Sequence, residues 1–101
     1  MKDYTGQSIA ANYFKRIEAV GGKLFFDETG MTFKSHAINI QSGETRIQYD
    51  QISRISKRNT LGIVPNGMLI FTKDGFEHKF VINHREDVIA FLMNKLQTEK
   101  D

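Results

Sequence analysis

Arg54, Lys57 and Arg58 set three cations within five residues, with no acid among them. Such a cluster can hold an anion, and near an acidic leaflet each cation gains about 1 kcal/mol. On strand alternation Arg54 and Arg58 point one way and Lys57 the other. The stretch KRNTLGIVPNG (residues 57–67) then carries three aliphatics, Leu61, Ile63 and Val64, ahead of turn residues. Burying one such side chain fully is worth about 1.5–3 kcal/mol. Cations followed by aliphatics are the two signals that stable membrane attachment needs. The simpler reading has the same aliphatics plug one end of the protein's own core, and contact with another protein is a further alternative. The sequence leaves these occupants open. The bland reading of the cations is a solvated strand face.

Other constellations carry less chemistry. His36, His78 and His84 have no metal-ligand spacing with one another or with acids. His78 falls on an apolar strand face, where a satisfied core or edge histidine is the simpler reading. The pairs Asp27-Glu28 and Glu86-Asp87 fall at a turn and at a helix start, where solvation or capping accounts for them. No nucleophile-elbow pattern and no phosphate-loop glycine motif occurs. The expectation is a chain with no catalytic residues, no metal and no cofactor. Tyr13-Phe14-Lys15-Arg16 and Phe33-Lys34 fit a base-stacking platform weakly. Alternation more simply turns their aromatics inward, and no nucleic-acid partner is expected.

The bounds agree. A chain of 101 residues makes one domain and buries roughly two-thirds of its unfolded surface. There is no cysteine, so no disulfide framework or cysteine zinc site. Basic residues number 14 and acidic residues 12. Residues 1–50 hold six of each, so the whole excess lies in residues 51–101. That is mild for a nucleic-acid binder. The first residues hold no apolar run of the secretory kind, and no run of about 18 apolar residues exists. A soluble, cytoplasmic protein is expected.

Short β-prone runs ended by turn residues make up most of the chain. Residues 1–8 are polar and are expected to fray. Asn12–Val20 reads as a strand broken at Gly21-Gly22, and Lys23–Asp27 as the next. Met31–His36 follows, with Met31, Phe33 and Ser35 alternating against Thr32, Lys34 and His36. Residues 37–41 continue extended, then Ser42-Gly43 turns the chain. Glu44–Tyr49 and Ile52–Arg58 flank a turn at Asp50-Gln51. Gly67–Thr72 and Phe76–Ile82 flank Lys73-Asp74-Gly75, a strong hairpin signal. Phe76, His78, Phe80 and Ile82 share one face. Then Val88, Phe91, Leu92, Lys95 and Leu96 recur at helical spacing. Asn83 as N-cap and Glu86 three residues later suit a capping box. The helix is expected over about 84–97, with 98–101 frayed. The fold class is mainly β with one α: an antiparallel barrel or sandwich of about seven strands, capped by a C-terminal helix, of the pleckstrin-homology (PH) type.

Several segments resemble the GRAM domain family, a branch of the PH-like folds. They are Ala11-Asn12-Tyr13-Phe14, Glu18-Ala19-Val20-Gly21-Gly22-Lys23-Leu24, Phe33-Lys34-Ser35-His36, Asn59–Gly67, Thr72-Lys73-Asp74-Gly75 and Phe80-Val81. The resemblance spans residues 10–96 and places a single domain at 9–97. Family members often carry threonine where this chain has Asp27, and a basic residue where it has Gly30. The turn expected at Gly21-Gly22 lacks the long basic loop with which many PH domains hold inositol phosphates.

The resemblance implies a binding module without catalytic activity, similar to small stand-alone bacterial members. Acidic membrane lipids are the first expected partner. They would be met by Arg54, Lys57 and Arg58 together with Leu61, Ile63 and Val64, peripherally at the inner membrane surface. The alternative is a protein-interaction module, self-associating or docking a partner, with no lipid binding.

Overall fold

The computed structural model describes residues 2–15, 17–36 and 44–100. Seven strands precede one helix: β1 (Ser8–Lys15), β2 (Glu18–Phe26), β3 (Gly30–Ser35), β4 (Glu44–Gln48), β5 (Ile52–Thr60), β6 (Val64–Thr72), β7 (Glu77–Ile82) and α1 (Arg85–Lys100). All pairings are antiparallel and form one sheet in the order β4-β3-β2-β1-β7-β6-β5. The sheet curls into a half-barrel whose two edges are β4 and β5. A 3-10 turn, Tyr49–Gln51, joins those edges. Helix α1 packs on that turn and on β5 and β6. This is the expected mainly β architecture with a C-terminal helix over one opening. The expected extended run 37–41 and the turn at Ser42-Gly43 lie outside the described residues.

Alternation builds the core. Leu24, Phe26, Met31, Phe33, Ile47, Met68, Ile70, Phe80 and Ile82 are buried on the concave face. The helix adds Val88, Phe91 and Leu92, the stripe its spacing predicts. The Phe91 ring stands edge-on to Phe26 at 5.5 Å and to Tyr49 at 6.3 Å between centroids.

Several sequence expectations need correction. The strand expected over 12–20 is the end of β1 and the start of β2, and the chain reverses between the paired residues Lys15 and Glu18 instead of at Gly21-Gly22. Gly22 lies inside β2 because the sheet is tight there. A Cβ on it would stand 2.2 Å from the Lys34 carbonyl oxygen. Residues 2–8 are not a frayed tail. Tyr4 is buried at 3% exposure against Phe26 and Phe91, and the Gly6 N–H donates to the Phe26 carbonyl at 2.8 Å. The helix is preceded by His84, not capped at Asn83. His84 adopts φ 55 and its carbonyl accepts the Val88 N–H at 3.1 Å. The helix also continues through Lys100. Phe76 is exposed because it belongs to the β6–β7 turn. Its N–H donates to the Asp74 carboxylate at 3.1 Å and its carbonyl accepts from Thr72 at 3.0 Å. Gly75 takes φ 91 in that turn, as an Asp-Gly hairpin requires.

The β2–β3 turn gives Asp27 and Gly30 local structural reasons. Asp27 Oδ1 accepts the Thr29 and Gly30 N–H groups, each at 2.9 Å. Arg46 Nη1 donates to Asp27 Oδ2 at 2.6 Å. A Cβ on Gly30 would lie 2.7 Å from the Ile47 carbonyl, so no longer side chain fits. The Arg46 hydrogen bond, helped by the two amides, holds the Asp27 carboxyl well below the usual carboxylate range. Its native pKa is depressed, so its stabilisation is full above the unfolded value of about 3.9. It is lost as pH falls toward the native value. Both side chains are partly exposed, and solvent screening holds the gain to about 1 kcal/mol. Asp27→Asn is expected to cost that much at neutral pH. Urea unfolding should show the gap to wild type narrowing between pH 4 and pH 2; a constant gap would exclude the ion pair as its source.

Candidate functional site

The segment that joins β5 to β6 is a protruding hairpin. Leu61 and Gly62 both have positive φ, 55 and 74. The Ile63 N–H donates to the Thr60 carbonyl at 3.0 Å and the Gly62 N–H to the Asn59 carbonyl at 3.1 Å. Two successive left-handed residues make the tight turn whose twist suits a hairpin. Pro65, Asn66 and Gly67 therefore lie within β6, not in a turn as expected. Pro65 is tolerated because β7 pairs with β6 only from Gly67 onward. The Thr60 hydroxyl and the Asn66 side-chain oxygen share a hydrogen bond across the hairpin. Gly67 lets the strands close up, since a Cβ there would meet the Arg58 carbonyl at 2.2 Å.

Leu61, Ile63 and Val64 are 90%, 79% and 45% exposed. The core-plug alternative is thereby overturned. The physical reason is reach. The sheet is supported by β7 only up to Gly67, which pairs with Val81. From Arg58, opposite Gly67, the hairpin runs three residues further to Leu61, about 10 Å. No core lies beneath it.

The three cations do not form one patch. Lys57 pairs with Met68 on the helix side of the sheet and donates to Glu86 Oε1 at 2.6 Å. That hydrogen bond holds the Glu86 carboxyl below its ordinary value. Arg54 lies on the opposite face, its guanidinium 4.0 Å from the Phe71 ring centroid. It sits seven residues from Leu61, about 23 Å along the strand. Arg58 is exposed on the convex face. The tip thus has Arg58 and Lys57 behind it, and Arg54 stands apart. Bulges at both ends of β5 and its cations also blunt that free edge against pairing with a second strand.

Sequence reasoning missed the residue that holds the hairpin's base. Arg85, the first residue of α1, is only 9% exposed. Its Nη1 donates to the Arg58 carbonyl at 3.2 Å, the Asn59 side-chain oxygen at 3.1 Å and the Gly67 carbonyl at 3.3 Å. An arginine at a helix start opposes the helix dipole, which was the available signal that it serves another purpose. Of the histidines, His36 and His84 are exposed. His78 is half-buried, with Nδ1 2.8 Å from the Tyr13 hydroxyl. No helix among the described residues is long and apolar enough to cross a membrane.

No protein-family model matches the chain, and no curated protein is significantly similar to it. Solved structures do share the fold. The C-terminal domain of an unknown protein from Leishmania infantum superposes with a TM-score of 0.76 at 18% identity, over 90% of this chain and 82% of that one. Inner Membrane Complex sub-compartment protein 3 from Toxoplasma gondii gives 0.70 at 13% identity, over 93% of this chain and 77% of that one. At such identities the likeness establishes a mainly β, seven-stranded architecture with a C-terminal helix, and only that.

Proposed function

We propose that this protein is a non-catalytic binding module of the GRAM/PH-like kind, which docks on anionic membrane lipids through the tip of its β5–β6 hairpin. The observation that carries the reading is Leu61, a bulky residue at φ 55 that is 90% exposed. A left-handed conformation costs a side chain of this kind about 1–2 kcal/mol. Glycine or asparagine would serve the turn better, and water would solvate either one better. Strain kept at an exposed apolar residue points to a contact outside the molecule.

Distances favour a lipid surface as that contact. Apolar groups of peripheral proteins settle about 5–10 Å into the headgroup and acyl boundary. With Leu61 and Ile63 at that depth, Arg58 and Lys57 lie about 10–13 Å behind, level with the phosphates. The aliphatics contribute a gross gain of about 3–6 kcal/mol. Arg58 adds about 1 kcal/mol, and Lys57 adds less because Glu86 pairs with it. Association costs consume much of this, so binding is weak, reversible and sensitive to salt. On this reading the protein works peripherally, at the inner membrane surface.

Flotation with vesicles of phosphatidylserine and phosphatidylcholine tests it. Wild type should float with them at low salt and be released at high salt. Ile63→Asp should weaken flotation without changing thermal unfolding, and Lys57→Glu should weaken it with a small drop in melting temperature, since it also breaks the Glu86 pair. No wild-type binding at low salt would overturn the reading and hand the tip to a pocket on a protein partner. Unchanged binding in both variants would overturn it as well.

A further inference from the structure

A second candidate site lies at the far end of β6. An open cleft of about 400 Å³ runs between the end of β4 and the β6–β7 turn. His78, Phe76, Thr72, Gln48 and Gln51 contribute to its walls. We propose that this cleft binds a small uncharged planar molecule, which stacks on Phe76 and hydrogen-bonds to His78 Nε2. The proposal is independent of the lipid reading.

His78 is built to present one nitrogen. Its ring stacks on Tyr13 at 5.9 Å between centroids, and Nδ1 is held by the Tyr13 hydroxyl at 2.8 Å. That contact leaves Nε2 as the ring nitrogen open to a ligand. Burial keeps the ring neutral by pushing its pKa down.

Phe76 supplies the other half. It is 65% exposed, and its ring lies 6.0 Å from that of His78. A phenyl group held in a turn beside a half-buried imidazole leaves an apolar face uncovered. The charged groups of the cleft are already engaged. Arg46 is bound to Asp27 at 2.6 Å and 3.2 Å, and to the Thr29 and Thr32 hydroxyls. Asp74 accepts the Thr72 hydroxyl and the Phe76 N–H. Both donors to Asp74 are neutral, so it keeps its negative charge, and an anionic ligand would meet repulsion there with no free cation among the cleft's residues. A neutral amide, with a donor and an acceptor to offer Nε2, fits.

Nicotinamide, a planar neutral amide, is the probe, and nicotinate is its charged counterpart. Titration followed by the imidazole NMR signals should give a saturable shift of His78 with nicotinamide at millimolar affinity, as expected of a small fragment. Nicotinate should bind about tenfold or more weakly, the cost of a stranded charge. Phe76→Ala removes an exposed ring without disturbing the core, and should weaken nicotinamide several-fold. Absence of any saturable His78 shift, equal affinity for nicotinate, or an unchanged Phe76→Ala would each overturn the proposal.

Discussion

A Leu61→Asn variant is expected to melt higher than wild type and to bind anionic vesicles about thirtyfold less. The two signs are opposite because they arise from different properties of one residue. Leu61 occupies φ 55, where asparagine is at ease and leucine is not. The exchange relieves about 0.5–1 kcal/mol, which is roughly 3–6 °C in melting temperature for a domain of this size. The side chain is exposed, so no core contact is lost. At a membrane the same exchange removes about 2 kcal/mol of apolar burial, and that difference sets the thirtyfold. Differential scanning fluorimetry and vesicle flotation on the same preparation measure both. A lower melting temperature would refute the strain. Unchanged flotation would remove Leu61 from the contact.

Arg85→Met is expected to destabilise the fold by about 2–4 kcal/mol, the range for stripping charged hydrogen bonds from buried partners. Methionine fills much of the arginine's volume but donates nothing. The carbonyls of Arg58 and Gly67 and the Asn59 side chain would lose the donor they share. The loss falls at one junction, where the hairpin base meets the start of α1. Urea unfolding should show the lower midpoint. Amide exchange should speed up first around residues 58–67, because Arg85 bridges that base to the helix with several bonds. A stability within about 0.5 kcal/mol of wild type, the usual spread for a surface substitution, would mean that water replaces the guanidinium freely.

Local pattern revealed the elements whose reasons are local. Met31 and Phe33 are buried while Lys34 is exposed, as alternation demands. Gly75 turns the chain where Asp-Gly predicts, and Val88, Phe91 and Leu92 face the core. The misreadings have non-local causes. Gly21-Gly22 reads as a turn because glycine permits one. Its purpose is close packing against Lys34, a cross-strand neighbour no local window contains. Tyr4 sits in a polar segment, and its partner Phe91 lies near the other end of the chain. At the candidate site, alternation correctly separated Lys57 from Arg54 and Arg58. It was silent on Glu86 and Arg85, which reach the hairpin from the helix. The exposure of the aliphatic tip depends on where β7 stops, which the tip's own residues do not encode.

Strand β6 begins at the hairpin tip with Val64 and ends at the cleft with Thr72. It separates the two candidate sites by about 26 Å. A surface touched at one pole therefore leaves the other facing bulk water. A small molecule could arrive and depart while the tip stays seated, and neither occupant would crowd the other. With both proposed sites occupied, the half-barrel would act as a spacer that holds a diffusing ligand at a set height above the surface it rests on.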